Sequence, residues 1–362
     1  MTRIYLVRHA EAEGNLYRIA QGQDNSNLTD RGWRQVAAVE RRFADIHVDA
    51  VYASDLYRTW ATASAIYKPK GLPLHRRKDL REICVGAWEQ RTWGDIARED
   101  AEQMTNFSIH PDRWFVEGAE SPQQVTERVL GAAREIAAAN EGKTVVLVSH
   151  GYAIRLLLAA VQGIPLADLA KTPVADNTAV SLIEFENGEM QVVFRDDSSH
   201  LKTPEYLAGE KVLLRASALE VGLYFRPLRL PEQAEEFAAF VEEIWRETGR
   251  EPAFDRGRLL ADAAERITLV GFRQEEFVGV VQMLPEEGWL SLVCVKENAR
   301  QKGFGAQLIG QAVLASRRAG SGVLRTARSS GEKFFADYGF VPVEDGTVLE
   351  KHIAFDPEFL SE

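Results

Sequence analysis

The chain has 362 residues, enough for two domains of ordinary size. With 45% apolar and 27% charged residues, it has the composition of a folded protein with a buried core, which excludes a disordered or fibrous chain. Lys plus Arg number 43 against 54 Asp plus Glu, a net charge of -11, which argues against nucleic acid or an anionic membrane surface as a partner.

In chain order, the first 205 residues alternate strands and helices. Residues 3–7 (RIYLV), 49–52 (DAVY) and 144–149 (TVVLVS) are short β runs bounded by turn residues and separated by helical patterns. Thr29 is placed to cap a helix whose apolar stripe runs through Trp33, Val36, Val39 and Phe43. Such alternation predicts an α/β unit, a mainly parallel sheet with helices on both faces, and reactive groups at the carboxyl ends of the strands. Residues 203–221, with Pro204 and Gly209, break the pattern and are read as a connector, so the expected division is a domain over 1–205, a linker over 206–221 and a domain over 222–362. The second half begins with a strand at Leu223 and continues with a helix over 231–248. A hairpin then joins 268–273 to 276–284 through Gln274 and Glu275, a strand covers 289–295, and a helix starts near Gly303. Strands adjacent in sequence predict an α+β domain with a mixed, largely antiparallel sheet.

No apolar run approaches the ~18 residues of a membrane helix. The stretch Ile4–Val7 is too short for a signal-peptide core, so a cytoplasmic protein is expected. Cys84 and Cys294 lie about 210 positions apart and form neither a metal-spaced pair nor a disulfide framework; both read as small buried hydrophobes.

The end of the first β run carries Arg8 and His9 in LVRHAEAEGN. A histidine at a strand end beside an obligate cation suits a phosphoryl acceptor, because neutral imidazole is nucleophilic and arginine clamps phosphate oxygens. Three further strings add to it: SDLYRTWATA with Arg58, LREICVGAWEQ with Glu82, and VLVSHG with His150 and Gly151. Together with NLTDRG they resemble the signature of the histidine phosphatase superfamily over about residues 1–200. The resemblance implies that His9 becomes phosphorylated, that Arg8, Arg58 and His150 cradle the phosphoryl group, and that Glu82 gives a proton to the leaving oxygen and later activates water. It also implies that Asn15, Gln21, Gly22 and Gly151 touch a small phosphorylated metabolite, and that no metal is needed. Ala10 and Cys84 stand where that family usually has glycine and often an aromatic residue, but neither change removes a chemical group. The compact stretch from Glu82 to His150 lacks the long insertion of the mutases and favours hydrolysis. Trp88, Trp93, Phe107, Trp114 and Phe115 within it read mainly as packing, and Glu120–Ser121 in VEGAES as a helix cap. His47, His75, His110, His200 and His352 match no motif.

After the 289–295 strand, the string KENARQKGFGAQLIGQAV sets Arg300, Gly303 and Gly305 at R-x-x-G-x-G spacing ahead of a periodic helix, an arrangement that brings backbone N–H groups close to a pyrophosphate. With GEKFFADYGFVPV it resembles the GNAT-type N-acetyltransferase family across 222–355. The resemblance implies acetyl-CoA as cofactor, with its pantetheine arm against Val293, Cys294 and Val295. Its phosphates would lie on Arg300, Gln301, Lys302, Gly303, Phe304, Gly305 and Ala306, with an unidentified amine as acceptor. Phe335 stands where the family often has a tyrosine that protonates the thiolate; Tyr338 is one helical turn away. Neither Glu286 nor Glu287 can be assigned as the amine's base. Two readings therefore stay open: a bifunctional phosphatase and acetyltransferase, or a phosphatase whose second domain binds acyl-CoA without catalysis.

Overall fold

The computed structural model describes residues 1–209, 222–247, 254–328, 331–343 and 346–355. Its contacts divide the chain into two units. One comprises Met1–Asn15, Ile19–Arg91 and Glu99–Lys211, the other Leu16–Arg18, Thr92–Arg98 and Val212–Glu362.

The first unit is built on a six-stranded sheet ordered β3-β2-β4-β1-β5-β6. Its strands are β1 (Thr2–Arg8), β2 (Ala50–Ser54), β3 (Leu74–Arg77), β4 (Thr144–Ser149), β5 (Val180–Glu186) and β6 (Glu189–Asp197). Strands β1 to β4 run parallel, and β5 and β6 add an antiparallel edge. The three expected β runs are β1, β2 and β4. Burial explains which strands were legible, since Val145–Val148 of β4 are fully buried and read as an unbroken apolar run, whereas β3 (LHRR) is an exposed edge with no such signal. The helices in this part of the chain are α1 (Glu13–Tyr17), α2 (Asp30–Phe43), α3 (Tyr57–Lys70), α4 (Trp93–Glu99), α5 (Ala101–Ile109), α6 (Pro122–Ala139), α7 (Gly151–Val161) and α8 (Pro204–Ala208). Thr29 caps α2 as its sequence predicts, its hydroxyl accepting from the Gly32 N–H. The stretch read as a connector opens with α8, where Tyr206 is buried against Ala38 and Leu201; residues 210–221 lie outside the described residues.

The second unit carries a seven-stranded mixed sheet ordered β12-β13-β11-β10-β9-β8-β7. Its strands are β7 (Tyr224–Pro227), β8 (Ile267–Arg273), β9 (Glu276–Leu284), β10 (Trp289–Val295), β11 (Val323–Ala327), β12 (Val341–Val343) and β13 (Val348–His352). Helices α9 (Ala234–Glu247), α10 (Arg256–Glu265), α11 (Phe304–Arg318) and α12 (Glu332–Ala336) complete it. The predicted hairpin is the β8–β9 pair, turned through Gln274 in the left-handed conformation. Helix α9 begins three residues later than Pro231, and residue 248, where the expected helix ends, lies outside the described residues. Phe237, Phe240, Val241, Val270, Phe277 and Val280 form this unit's core together with Cys294. Cys84 departs from its expected place in a core: it is only half-buried, with Sγ 3.5 Å from the Gly118 carbonyl. Among the described residues no helix is long and apolar enough to cross a membrane.

Candidate active site

Parallel register brings the first site together. Arg8 at the end of β1 pairs with Ser149 at the end of β4, so His9 and His150 follow on neighbouring carboxyl ends. Their rings lie 5.3 Å apart between centroids, and the His9 N–H donates to the Ser149 carbonyl at 2.9 Å. His9 is 3% exposed and His150 fully buried. The His9 Nδ1 lies 2.7 Å from the Ala10 carbonyl, which can only accept, so Nδ1 carries the hydrogen and Nε2 keeps a free lone pair. Burial, then the positive charges of Arg58 and Arg8, push the His9 imidazole well below its ordinary value. Burial and Arg58 do the same to His150, so both rings are neutral.

Arg58 sits in the first turn of α3, 1% exposed, and donates from Nη1 to the Asp24 carbonyl (2.7 Å) and from Nη2 to the Gly22 carbonyl (2.8 Å). Desolvation lowers its guanidinium to about 10. Arg8 donates from Nη1 to the Ala175 carbonyl. The remaining nitrogens Arg8 Nε, Arg58 Nε and both ring nitrogens of His150 are buried with no protein partner. Buried polar groups left unpaired are costly, and these sit on the side chains whose charge or ring neighbours the His9 imidazole.

Glu82 rests its carboxylate on the amino end of α7. Oε1 accepts from the amides of Ala153 (2.9 Å) and Ile83 (3.2 Å), while Oε2 accepts only from Tyr152 N (3.1 Å). A carboxylate oxygen has room for two hydrogen bonds, so Oε2 is the atom with space for a proton. The carboxyl lies within electrostatic reach of both Arg8 and Arg58.

The smaller residues hold these groups. Gly22, at φ +50, turns its carbonyl onto Arg58, and any Cβ there would lie 2.3 Å from Glu89 Oε1. Gly151 opens α7 against Arg8, where a Cβ would come within 3.1 Å of Nε. Asn15 accepts from the Ala12 amide at 3.0 Å, and Gln21 accepts from Ser26 Oγ at 2.8 Å. Trp88 and Trp114 are packing residues, in edge contacts with each other and with Phe107, while Phe115 is exposed. Phe107 stacks on Tyr152 at 4.9 Å. Ser121 caps α6 in a reciprocal box with Gln124, as its string predicts. Reading the sequence missed Asn177, whose side chain donates to the His9 carbonyl at 3.0 Å, and Thr62, whose hydroxyl accepts from the Ala10 amide at 2.8 Å and donates to the Arg58 carbonyl at 2.6 Å. Asn177 and the Thr62 bond to Ala10 act across long stretches of chain on backbone atoms, which leaves no spacing to find. Among the described residues no group of three or more His, Cys, Asp or Glu side chains could hold a metal ion.

The second unit has a different opening. Strands β10 and β11 run parallel and pair at Trp289–Arg325, and a bulge between Leu290 and Leu292 interrupts the opposite ladder to β9. Val293–Val295 pair with β9 at Gly279–Val281, while no β11 residue pairs with them. Gly303, at φ +80, caps the 15-residue α11, and a Cβ built on it meets nothing within 4 Å. The amides of Phe304, Gly305 and Ala306 are first-turn donors with no partner inside the helix. Gly305 does not open onto the same space: the Phe334 ring fills its free side, 2.6 Å from a would-be Cβ. Phe304 and Ala306 turn their side chains into the core, so only their backbone could face a ligand. Arg300 is engaged elsewhere, from Nε to the Val295 carbonyl and from Nη2 to Glu247, and Lys302 Nζ reaches the Asn298 carbonyl. Phe335 and Tyr338 are both buried. Their rings flank Phe334 at 5.1 Å each.

Comparison with known proteins matches residues 4–198 to the family described as histidine phosphatase superfamily (branch 1), and residues 232–357 to the acetyltransferase (GNAT) domain. The protein named "Probable phosphoglycerate mutase GpmB" from Cronobacter sakazakii is 32% identical over 212 residues, 56% of this chain and 97% of that one. Phosphoserine phosphatase 1 from Hydrogenobacter thermophilus is 29% identical over 201 residues, again 56% of this chain and 95% of its own length. The solved structure of Bacillus stearothermophilus YhfR aligns with a TM-score of 0.54 at 31% identity, covering 56% of this chain and 100% of that one.

Proposed function

We propose that this chain, which belongs to the histidine phosphatase superfamily, hydrolyses small phosphomonoesters through a phosphohistidine on His9 and transfers acetyl groups from acetyl-CoA to an amine with its second unit. The observation that carries the first activity is the set of unpaired buried nitrogens on Arg8, Arg58 and His150, side chains that neighbour the His9 imidazole, whose Nε2 lone pair is free. In the first step Nε2 bonds to phosphorus as the P–O bond to the leaving group breaks, and the leaving oxygen takes a proton from Glu82 Oε2. In the second, Glu82 takes a proton from water, whose oxygen bonds to phosphorus as the P–N bond breaks. The phosphoryl oxygens carry the charge throughout, so fixed donors in a dry site supply most of the stabilisation. The compact chain between Glu82 and His150 supports water as the acceptor. Asn15 in α1 and Gln21 and Gly22 in the turn that follows it would lie beside the phosphoryl group, where Gly22 acts by holding Arg58. Rapid acid-free quenching of turnover should trap phosphate on His9, and His9→Ala should abolish activity. More than about a tenth of the rate remaining, a loss under ~1.4 kcal/mol, would overturn the assignment.

For the second unit, the side of Val293–Val295 with which no β11 residue pairs and the open amino end of α11 at Gly303 fit a pantetheine arm and a pyrophosphate, held by the backbone of Gln301–Ala306. Acetyl-CoA would supply the activated acetyl thioester. Phe335 offers no proton, and that favours the second reading, in which this unit binds acyl-CoA without turning it over. Thiol release from acetyl-CoA in the presence of a surrogate amine separates the two.

A further inference from the structure

Arg128 lies in the first half of α6, and no motif singles it out. All five of its hydrogens are used. Nε and Nη2 grip Glu120 at 2.8 Å each, Nη1 donates to the carbonyls of Asp79 (3.1 Å) and Arg81 (2.7 Å), and Nη2 also donates to the carbonyl of Glu82 itself (2.9 Å). Glu120 Oε2 in turn accepts from the Cys84 amide at 2.9 Å and from Gln23 Nε2 at 3.1 Å. The same Gln23 nitrogen donates to the Glu82 carbonyl at 3.1 Å, and Gln23 Oε1 accepts from Arg81 Nη1 at 3.2 Å. The backbone is therefore held on both sides of Glu82 and at Glu82, and Gln23 follows directly on Gly22, whose carbonyl holds Arg58. Burial pushes the Glu120 carboxyl up, but the hydrogen bonds from Arg128 and the Cys84 amide outweigh it and keep the group an anion. Glu120 is thus more than the residue before a helix cap.

We propose that Arg128, with Glu120 and Gln23, is a positioning residue that fixes the Glu82 carboxyl at the leaving oxygen of the phosphomonoester, and so sets how poor a leaving group the site can expel. The clamp rests on the phosphatase reading above. A general acid works only within hydrogen-bond reach of the oxygen it protonates, and a shift of about 1 Å can cost about a hundredfold in rate. Its contribution depends on the leaving group. An alkoxide must be protonated as it departs, whereas a nitrophenolate leaves as the anion. A group that acts through Glu82 should matter for the first and not for the second, while a group that merely holds the fold together should affect both alike.

The test compares kcat/KM of the full chain on 2-glycerol phosphate and on p-nitrophenyl phosphate for the native protein, Arg128→Lys, Glu120→Gln and, as reference, Glu82→Gln. Lysine keeps the charge of Arg128 but cannot span five acceptor contacts. Both clamp variants should lose about tenfold or more on the alkyl ester and less than about threefold on the nitrophenyl ester, following the pattern of Glu82→Gln. Equal losses on the two substrates, or none on either, would overturn the clamp. If Arg128→Lys does not fold, Glu120→Gln decides. Loss of selectivity in the Glu82→Gln reference itself, or no turnover by the native chain, would sink the assignment of Glu82 or the phosphatase reading and the clamp with it. A selective reference beside unselective clamp variants would sink the clamp alone.

Discussion

His9 is held as a neutral imidazole with its hydrogen on Nδ1, because the Ala10 carbonyl accepts from that nitrogen while burial and two guanidinium groups oppose a second proton. Titrating the resting protein with 15N detection of His9 should show the Nδ1–H tautomer through pH 6. A ring that takes up a proton at or above about 6.5, the ordinary value, would refute this. The residues of the candidate site were legible in the sequence: Arg8, His9 and His150 stand in short strings at strand ends, Glu82 in a loop and Arg58 in the first turn of α3. Their partners were not legible. Asn177 acts on the carbonyl of His9 and Thr62 on the amide of Ala10, both far away in the chain, and a hydrogen bond to backbone leaves no requirement on the sequence of its partner. His200, which matches no motif, proves to be buried, with Nε2 3.1 Å from the Thr178 hydroxyl and Nδ1 accepting from Arg42 at 3.1 Å.

Two helix starts carry the element-scale argument. Gly151 at the head of α7 gives Arg8 its place, since a Cβ would press on Nε at 3.1 Å and on Cζ at 3.2 Å. Alanine is the better helix former by up to ~1 kcal/mol, so Gly151→Ala should hold or raise Tm while lowering phosphatase kcat/KM about tenfold through a displaced guanidinium. Unchanged kcat/KM would show that Arg8 has room to yield. At the head of α11, Gly303 has open space beside a positive φ. Gly303→Glu should abolish acetyl-CoA binding in calorimetry by adding bulk and a negative charge where phosphates approach, at a backbone cost of about 1 kcal/mol. Binding at native strength by that variant would mean the phosphates lie elsewhere. The R-x-x-G-x-G spacing announces the turn. It does not announce that the second glycine makes room for the Phe334 ring rather than for a ligand, because both uses require the same missing side chain.

Over the whole molecule, His9, His150 and His200 are buried and pushed below their ordinary value, His200 to about 4, with desolvation the leading cause in each. In the unfolded chain each would take up a proton below about 6.5; in the folded chain none does there, so the unfolded state binds more protons and stability falls as pH drops below that point. Each histidine contributes a slope of up to ~1.4 kcal/mol per pH unit until its folded value is reached, and Tm at pH 5.5 should lie clearly below Tm at pH 7.5. An equal or higher Tm at the acidic pH would refute it. Two sheets of different topology, one mainly parallel and one mixed, were foreseeable from the order of strands and helices, because periodicity and turn residues are local properties that a chain displays without folding. The strings that carry Arg8, His9, Arg58, Glu82 and His150 were likewise visible, since the roles proposed for them admit few other residue types. Folding alone decided the rest: that the ends of β1 and β4 lie side by side, that Glu82 rests on the amino end of α7, and that Arg128 reaches three carbonyls of another loop. Those relations join residues separated by tens to more than a hundred positions, and they are made by backbone register and by packing, which no local pattern of residues encodes.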